Sequence, residues 1–95
     1  MRKTELERMR GRLKALRERL AHLGPIMRGS VVIIGTRNKQ PYYSLNKDGK
    51  TRLIYLGKKR ESRARQYSQN YATLRAIVDE MTIIHMKLIQ EDVAF

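Results

Sequence analysis

Apolar residues near the start of the chain recur with a heptad spacing. Successive members are three, four, three, four and three residues apart: Leu6, Met9, Leu13, Leu16, Leu20 and Leu23. This is the a/d spacing of a coiled-coil seam. It predicts a first helix that begins with a capping box at Thr4 and Glu7 and ends at Gly24-Pro25.

A second heptad seam lies in the last third of the chain. Its members are Tyr67, Tyr71, Leu74, Val78, Met81, His85 and Leu88. The positions that flank the first seam hold four arginines: Arg10, Arg12, Arg17 and Arg19. A parallel dimer of helix 1 with itself would set these arginines against each other. The two seams therefore predict an antiparallel, coiled-coil-like pair of helix 1 and helix 2 within one chain.

Between the seams the apolar period changes to two, and the composition becomes β-branched and aromatic. Three short strands are predicted at Ser30–Ile34, Tyr42–Asn46 and Thr51–Leu56. The predicted fold class is α+β, with a small three-stranded antiparallel sheet between two long helices. We expect a single domain over residues 1–95, with helix 1 at 1–24, a basic β-meander at 25–60 and helix 2 at 61–95.

The turn after the second strand, Asn46-Lys47-Asp48-Gly49, is compatible with two registers. A three-residue loop with a bulge pairs Tyr43 with Leu53 and puts Tyr42, Ser44 and Arg52 together on an exposed face. A two-residue Asp-Gly loop would instead group Arg52 with Tyr43 and bury an arginine. The bulged register is the prediction.

Positive charge is concentrated in the first two thirds of the chain. The net charge is +12, made of +5 in residues 1–24, +8 in residues 25–60 and −1 in residues 61–95. Clustered Lys and Arg are typical of proteins that bind polyanions, because they release the counterions condensed on phosphates. Nucleic acid is therefore the expected partner.

The predicted nucleic-acid surface is centred on the hairpin. Lys and Arg are expected to position phosphates, whereas Arg52, Ser44, Tyr42 and Asn38 are candidates for base contacts. The full set of predicted binding residues is Arg12, Arg19, Arg37, Asn38, Lys39, Tyr42, Ser44, Lys47, Lys50, Arg52, Lys58, Lys59, Arg60, Arg63 and Arg65.

Two resemblances bear on this surface. The segment "PYYSLNKDGKTRLIYLG" (41–57) resembles the three-stranded arm-binding domain of phage-type tyrosine recombinases, which implies a sheet that docks into duplex DNA. Four segments, "MRGSVV" (27–32), "PYYSL" (41–45), "GKTRLIYL" (49–56) and "YATLRAIVDEM" (71–81), together resemble a family of small, basic, uncharacterised bacterial proteins from mobile-element contexts. Members of that family carry a cysteine cluster where this chain has "IGTRNKQ" (34–40), so a metal-stabilised loop does not carry over.

Other chemistries are not expected. The chain has no cysteine, and His22 and His85 have no neighbours at metal-ligand spacing, which argues against a metal site. No cofactor motif or catalytic constellation is present, so enzyme activity is not expected. The apolar runs are far shorter than a membrane span, and the start of the chain lacks a signal-peptide core, which predicts a cytoplasmic protein, nucleoid-associated if it binds DNA.

The segment "MTIIHMKLI" (81–89) is apolar all round the predicted helix. Ile83, Met86 and Ile89 lie behind the seam, where helix 1 cannot cover them. They predict a second protein surface, most simply another copy in a two-fold dimer.

The function expected from the sequence is therefore binding of duplex DNA, in an accessory or regulatory role in a mobile-element or phage setting. Two alternatives stay open. The same charges could follow the backbone of a structured RNA. The protein could also be a coiled-coil adaptor or assembly subunit whose basic face meets an acidic protein.

Overall fold

The computed structural model of the protein describes residues 1–94. In chain order the elements are α1 (Lys3–Ala21), β1 (Ser30–Ile34), β2 (Gln40–Lys47), β3 (Lys50–Tyr55) and α2 (Gly57–Gln90). The predicted α+β class and its helix–sheet–helix order are confirmed. The chain divides into two compact units: a helical unit, Met1–Leu23 with the chain from Thr73 onward, and a sheet unit, Gly24–Ala72.

The element boundaries agree with the prediction for β1 and differ elsewhere. Helix α2 begins four residues earlier than predicted, because Gly57 has a φ of +66° and turns the chain directly from β3 into the helix. Lys58, Lys59 and Arg60 therefore belong to the first turn of α2. Helix 2 was predicted to extend to residue 95, but α2 ends at Gln90, and Phe95 lies outside the described residues.

In the helical unit, α1 and the second half of α2 pair antiparallel. The Arg12 guanidinium donates from Nε and Nη2 to the two carboxylate oxygens of Glu80. The N-terminal nitrogen of Met1 lies 3.6 Å from a Glu91 oxygen. Arg12 lies eleven positions after Met1, and its partner Glu80 lies eleven positions before Glu91, which is the pattern of an antiparallel pair. All six members of the α1 seam are at least half-buried, with Leu13 and Leu16 fully buried, as predicted.

Two details of the helix predictions are wrong. The seam of α2 includes Ile77, which is 1% exposed, in place of Val78, which is 46% exposed. Ile77 and Val78 lie three and four residues after Leu74, and both steps keep a residue on the same side of a helix. Strict alternation of three and four favours Val78, which is why the sequence predicted it. The predicted capping box is also wrong, because α1 begins before Thr4 and its N-cap, Arg2, makes no side-chain capping bond.

The sheet has the order β1-β2-β3 with both pairs antiparallel. Lys47 pairs with Lys50, Leu45 with Arg52 and Tyr43 with Ile54. The loop between β2 and β3 is therefore the two-residue Asp48-Gly49, both at positive φ (54° and 74°), so the predicted bulged register is wrong. This two-residue turn matches the right-handed twist of the strands. This register does not bury Arg52, because α2 does not cover this end of the inner face and the Arg52 side chain is exposed.

The inner face of the sheet, on which Val31, Tyr43 and Ile54 lie, is the face that packs on α2. Tyr43, Leu56 and Ala64 form its buried core, and Met27 and Val31 pack against them. The Tyr43 hydroxyl donates to the Arg28 carbonyl at 2.7 Å. Burial of the ring raises the pKa of Tyr43, so its hydroxyl remains a donor to a higher pH than that of an exposed tyrosine.

Side-chain and backbone bonds from α2 hold the segment that precedes β1. The Asn70 amide donates to the Pro25 carbonyl at 2.8 Å, and the Ser68 hydroxyl donates to the Gly29 carbonyl at 2.8 Å. The backbone N–H of Met27 donates to the Tyr67 carbonyl at 3.1 Å. These bonds fix β1, and with it the whole sheet, on the first half of α2.

Two glycine substitutions test the turn that sets the register. Gly49→Ala should lower the free energy of unfolding by about 1–2 kcal/mol, because alanine resists the left-handed conformation at this position. Gly11→Ala, in the interior of α1 with open space around the added methyl group, should raise the free energy by up to about 1 kcal/mol. Urea unfolding followed by circular dichroism measures both. Equal effects of the two changes would contradict the assigned turn.

Candidate nucleic-acid interface

The sheet unit carries most of the positive charge. Residues 24–72 contain eleven Lys and Arg against Asp48 and Glu61, a net charge of +9, whereas the remaining residues contain ten against seven, a net charge of +3. Glu61 is already paired with Arg65 at 2.8 Å. The sheet unit is therefore the strongest source of positive potential in the chain.

One group of these cations lies at the loop end of the sheet, defined as the end with residues 35–39 and the start of α2. The strand directions bring the loop residues Arg37, Asn38 and Lys39 to the same end as Lys58 and Lys59. All five side chains are exposed, and within residues 1–94 none of the four cations forms an ion pair. The loop end thus gathers two separate basic segments that are twenty residues apart in sequence.

Arg60, which the sequence groups with these lysines, has a structural contact of its own. Its guanidinium donates to the carbonyls of Leu56 at 2.9 Å and Tyr55 at 2.7 Å. These bonds satisfy the last carbonyls of β3 as the chain turns into α2. Arg60 therefore fixes the junction, and only its remaining N–H groups are available to a ligand.

A second group of cations lies at the turn end of the sheet, defined as the end with the Asp48-Gly49 turn. Lys47 and Lys50 are direct cross-strand partners there, and Arg52 follows on the same face. Arg28, which the sequence analysis did not select, reaches this end and donates to the Asn46 carbonyl at 3.1 Å. Because Arg28 lies outside the strands, no strand pattern pointed to it.

Between the two ends lies the outer face of the sheet, opposite α2. Its side chains follow from the strand pairing: Ser30, Val32, Ile34, Gln40, Tyr42, Ser44, Asn46, Thr51, Leu53 and Tyr55. The rings of Tyr42 and Tyr55 meet edge to face with centroids 5.4 Å apart. The Tyr55 hydroxyl donates to Gln40 Oε1 at 3.1 Å. The outer face therefore offers hydroxyl, amide and aliphatic groups and contains no carboxylate.

The assignment of Arg52 to the same face as Tyr42 and Ser44 is wrong. The observed register places Leu53 and Tyr55 beside Tyr42 and Ser44 and turns Arg52 to the inner face. Leu53 and Tyr55 were not predicted on this face for the same reason. The signal that would have found them is the Asp-Gly pair, taken as a two-residue turn.

The remaining predicted cations are dispersed. Arg63 and Arg65 lie on α2 on either side of Ala64, which faces the sheet, and Arg65 is paired with Glu61. Arg12 and Arg19 belong to the helical unit. Within the sheet unit, the structure groups the loop-end residues at one end of the sheet and the turn-end residues at the other.

The inner face is open near the turn end. A groove of about 850 Å³ lies there. Its lining is Met27, Tyr43, Leu45, Leu53 and Ile54, and its basic rim is Arg28, Lys47 and Arg52. Ile54 is 58% exposed. The helix covers the inner face only around Tyr43, which leaves this groove accessible.

The apolar stripe predicted on α2 is exposed. Ile83, Met86 and Ile89 are 57%, 60% and 76% exposed, so α1 does not cover them. The seam and the stripe are thus two different faces of the same helix.

Within residues 1–94, no three His, Cys, Asp or Glu side chains come together in a way that could hold a metal ion. None of the helices in this part of the chain has the length and apolarity needed to cross a membrane.

Comparison with family models, with curated proteins and with solved structures returns no match. The two family resemblances seen in the sequence therefore stay predictions.

The ion pair of Arg12 and Glu80 gives a prediction for the helical unit. The hydrogen bond from Arg12, and to a smaller extent the charges of Arg12 and Arg19, lower the pKa of the Glu80 carboxyl in the folded protein. Because the folded pKa lies below the unfolded one, the stability from this pair is present above the unfolded pKa and is lost as the pH falls through the folded pKa. NMR titration should show a depressed pKa for Glu80 that returns toward its ordinary value in Arg12→Gln. An unchanged pKa in that variant would contradict the assigned bond.

Proposed function

We propose that the protein binds duplex DNA through the outer face of its sheet. The observation that carries the proposal is the arrangement of this face: a surface without carboxylates that lies between two clusters of exposed cations. Cations at both ends can contact phosphates, whereas the side chains between them can contact base edges.

The dimensions of the sheet suit a major groove. Three strands spaced by about 4.8 Å span about 10 Å between the outer strand axes. The major groove of B-DNA is about 12 Å wide and admits β-structure. The eight residues of β2 extend over about 25 Å, so the loop end and the turn end can reach phosphates well separated along the duplex.

Phosphate contacts and base contacts are proposed for different residues. Lys58, Lys59, Arg37 and Lys39 at one end, with Lys47 and Lys50 at the other, are the proposed phosphate contacts. Ser44, Gln40 and the Tyr42 hydroxyl are the proposed polar contacts to bases, and Leu53 suits the methyl group of thymine. Arg52, Lys47 and Lys50 share the inner face, so none of them has a base contact in this proposal. The two lysines flank the turn at the end of the sheet and are proposed to reach phosphates from there.

The start of α2 gives further support. Its first turn holds three basic residues and no acidic one, at the positive end of the helix dipole. Phosphate oxygens bound there would offset both the repulsion among the cations and the uncompensated dipole.

Duplex DNA is favoured over double-stranded RNA by groove shape. The major groove of an A-form helix is too deep and narrow for a sheet to enter.

A role as an adaptor for an acidic protein remains the alternative from a different functional class. Parallel titrations of duplex DNA, duplex RNA and single strands distinguish these functions. Tighter binding to duplex RNA or to single-stranded RNA than to duplex DNA would overturn the proposal.

Two neighbouring substitutions on β3 test which face meets the DNA. Leu53→Glu puts a carboxylate on the outer face, and Ile54→Glu puts the same charge on the inner face. Leu53 and Ile54 are 50% and 58% exposed, so neither change disturbs the core. Leu53→Glu should lower DNA affinity more than about tenfold, because like charges would be held together in the complex, whereas Ile54→Glu should lower it only a few-fold. Fluorescence anisotropy with a labelled duplex measures both.

Salt dependence provides the control for this experiment. If about six phosphates are contacted, the slope of log affinity against log salt should be near −5. Leu53→Glu and Ile54→Glu with equal affinities would contradict outer-face binding, and tight binding without salt dependence would contradict the phosphate contacts.

We also propose that the exposed stripe of α2 forms a two-fold dimer. Each large aliphatic side chain withdrawn from water contributes about 1.5–3 kcal/mol, and a symmetric interface uses the three residues twice. Two sheet units on one particle would raise the avidity for a long DNA.

The dimer has its own test. Replacing both Ile83 and Ile89 by Lys should give a folded monomer with weaker DNA binding, because the apolar interface and the avidity are both lost. Sedimentation velocity at tens of micromolar gives the oligomeric state, and Val78→Lys serves as a control on a neighbouring exposed apolar position. An unmodified protein that is already monomeric would refute the dimer without bearing on DNA binding by the sheet unit.

A further inference from the structure

The outer edge of β3 has backbone groups without strand partners. Strand β3 pairs only with β2, and the N–H of Leu56 donates to the Pro41 carbonyl at 3.0 Å. Bonded and non-bonded pairs alternate along an antiparallel ladder, so Lys50, Arg52 and Ile54 exchange bonds with β2. The N–H and C=O groups of Thr51 and Leu53 then point away from the sheet. Such an edge can accept an additional strand.

The groove beside this edge determines which side chains that strand would carry. A strand added to β3 would direct alternate side chains to the inner face, above Leu45 and Ile54. The aromatic ring nearest to them, Tyr43, is only 3% exposed and offers no face for a nucleic-acid base to stack on. The lining instead suits aliphatic side chains.

The charge of the edge determines the sign of the partner. Four cations, Arg28, Lys47, Lys50 and Arg52, lie on the groove or beside it, and within residues 1–94 none of them is ion-paired. A second copy of β3 would set Lys50 and Arg52 against like charges, which disfavours self-pairing. An acidic strand would place opposite charges across the same pairs.

We infer that the β3 edge and its groove form a docking site for an extended acidic peptide segment of another protein, one whose inner-facing side chains, at every second position, are aliphatic opposite Ile54 and carboxylates opposite Arg52 and Lys50. The backbone of the segment pairs with Thr51 and Leu53, its inner-facing aliphatic side chain packs beside Ile54, and its inner-facing carboxylates meet Arg52 and Lys50. The groove is separate from the outer face, but Lys47 and Lys50 serve both proposed sites, so DNA and the acidic segment would compete for these two lysines. The inference does not depend on DNA binding.

A synthetic peptide tests the site directly. The probe is a ten-residue, end-capped peptide, titrated into the full-length protein by NMR. It has Thr at alternate positions, for the outer face, and Val, Glu, Glu, Val and Glu in that order at the positions between, for the inner face. We expect saturable binding with a Kd below about 1 mM. The shifts should concentrate on the amides of Thr51 and Leu53 and the methyl groups of Leu45 and Ile54, with little change at Tyr42.

Two control peptides separate charge from backbone pairing. Replacing Glu by Lys should abolish binding, because the cations would repel it. N-methylation of alternate residues along one edge should weaken binding at least about tenfold, because it removes the strand bonds. Equal binding by either control peptide would overturn the proposal.

Two matched charge reversals locate the site. Arg52→Glu should weaken binding of the acidic peptide at least about tenfold, whereas Lys58→Glu at the loop end should change it less than about threefold. No binding of the acidic peptide, or equal losses in both variants, would refute the site. Shifts of the Leu45 and Ile54 methyl groups on addition of a ten-residue oligothymidine would assign the groove to nucleic acid and overturn the proposal as well.

Discussion

The two-residue turn at Asp48-Gly49 is the constraint on which the functional surfaces depend. Both residues adopt positive φ, and this fixes Lys47 opposite Lys50 and every later pair along β2 and β3. A slip of one residue would exchange the faces of β3. Leu53 and Tyr55 would then lie on the inner face, and Arg52 would join Tyr42. One backbone conformation at two positions thus determines which side chains each face presents.

This register separates two kinds of surface on one small sheet. The outer face combines hydroxyl, amide and aliphatic groups with cations at both ends, a combination that suits a DNA groove. The inner face is covered by α2 around Tyr43 and remains open near the turn, where aliphatic residues and cations line a groove. Strand β3 contributes to both proposed surfaces, because its alternate residues lie on opposite faces of the sheet.

Fixing the sheet on α2 requires polar contacts as well as apolar burial. The apolar core of the sheet unit is small, with Tyr43, Leu56 and Ala64 as its buried members. Hydrogen bonds from Asn70, Ser68 and Arg60 to backbone carbonyls supplement it. A domain of this size buries too little apolar surface to depend on packing alone. The Arg60 bonds fix the junction of β3 and α2, and with it the positions of Lys58 and Lys59 at the loop end.

The sequence by itself determined the class of the fold, the position of β1, the seam of α1 and the exposure of the stripe on α2. These features depend on periodicity within one element, where side-chain directions follow from helix or strand geometry. It did not determine whether Ile77 or Val78 joins the core, because both lie on the same side of the helix as Leu74. The tertiary structure also decided the hairpin register and the role of Arg60. Asp-Gly fits two turns, and the choice depends on which part of the inner face α2 covers, a contact between residues far apart in sequence that no local pattern records.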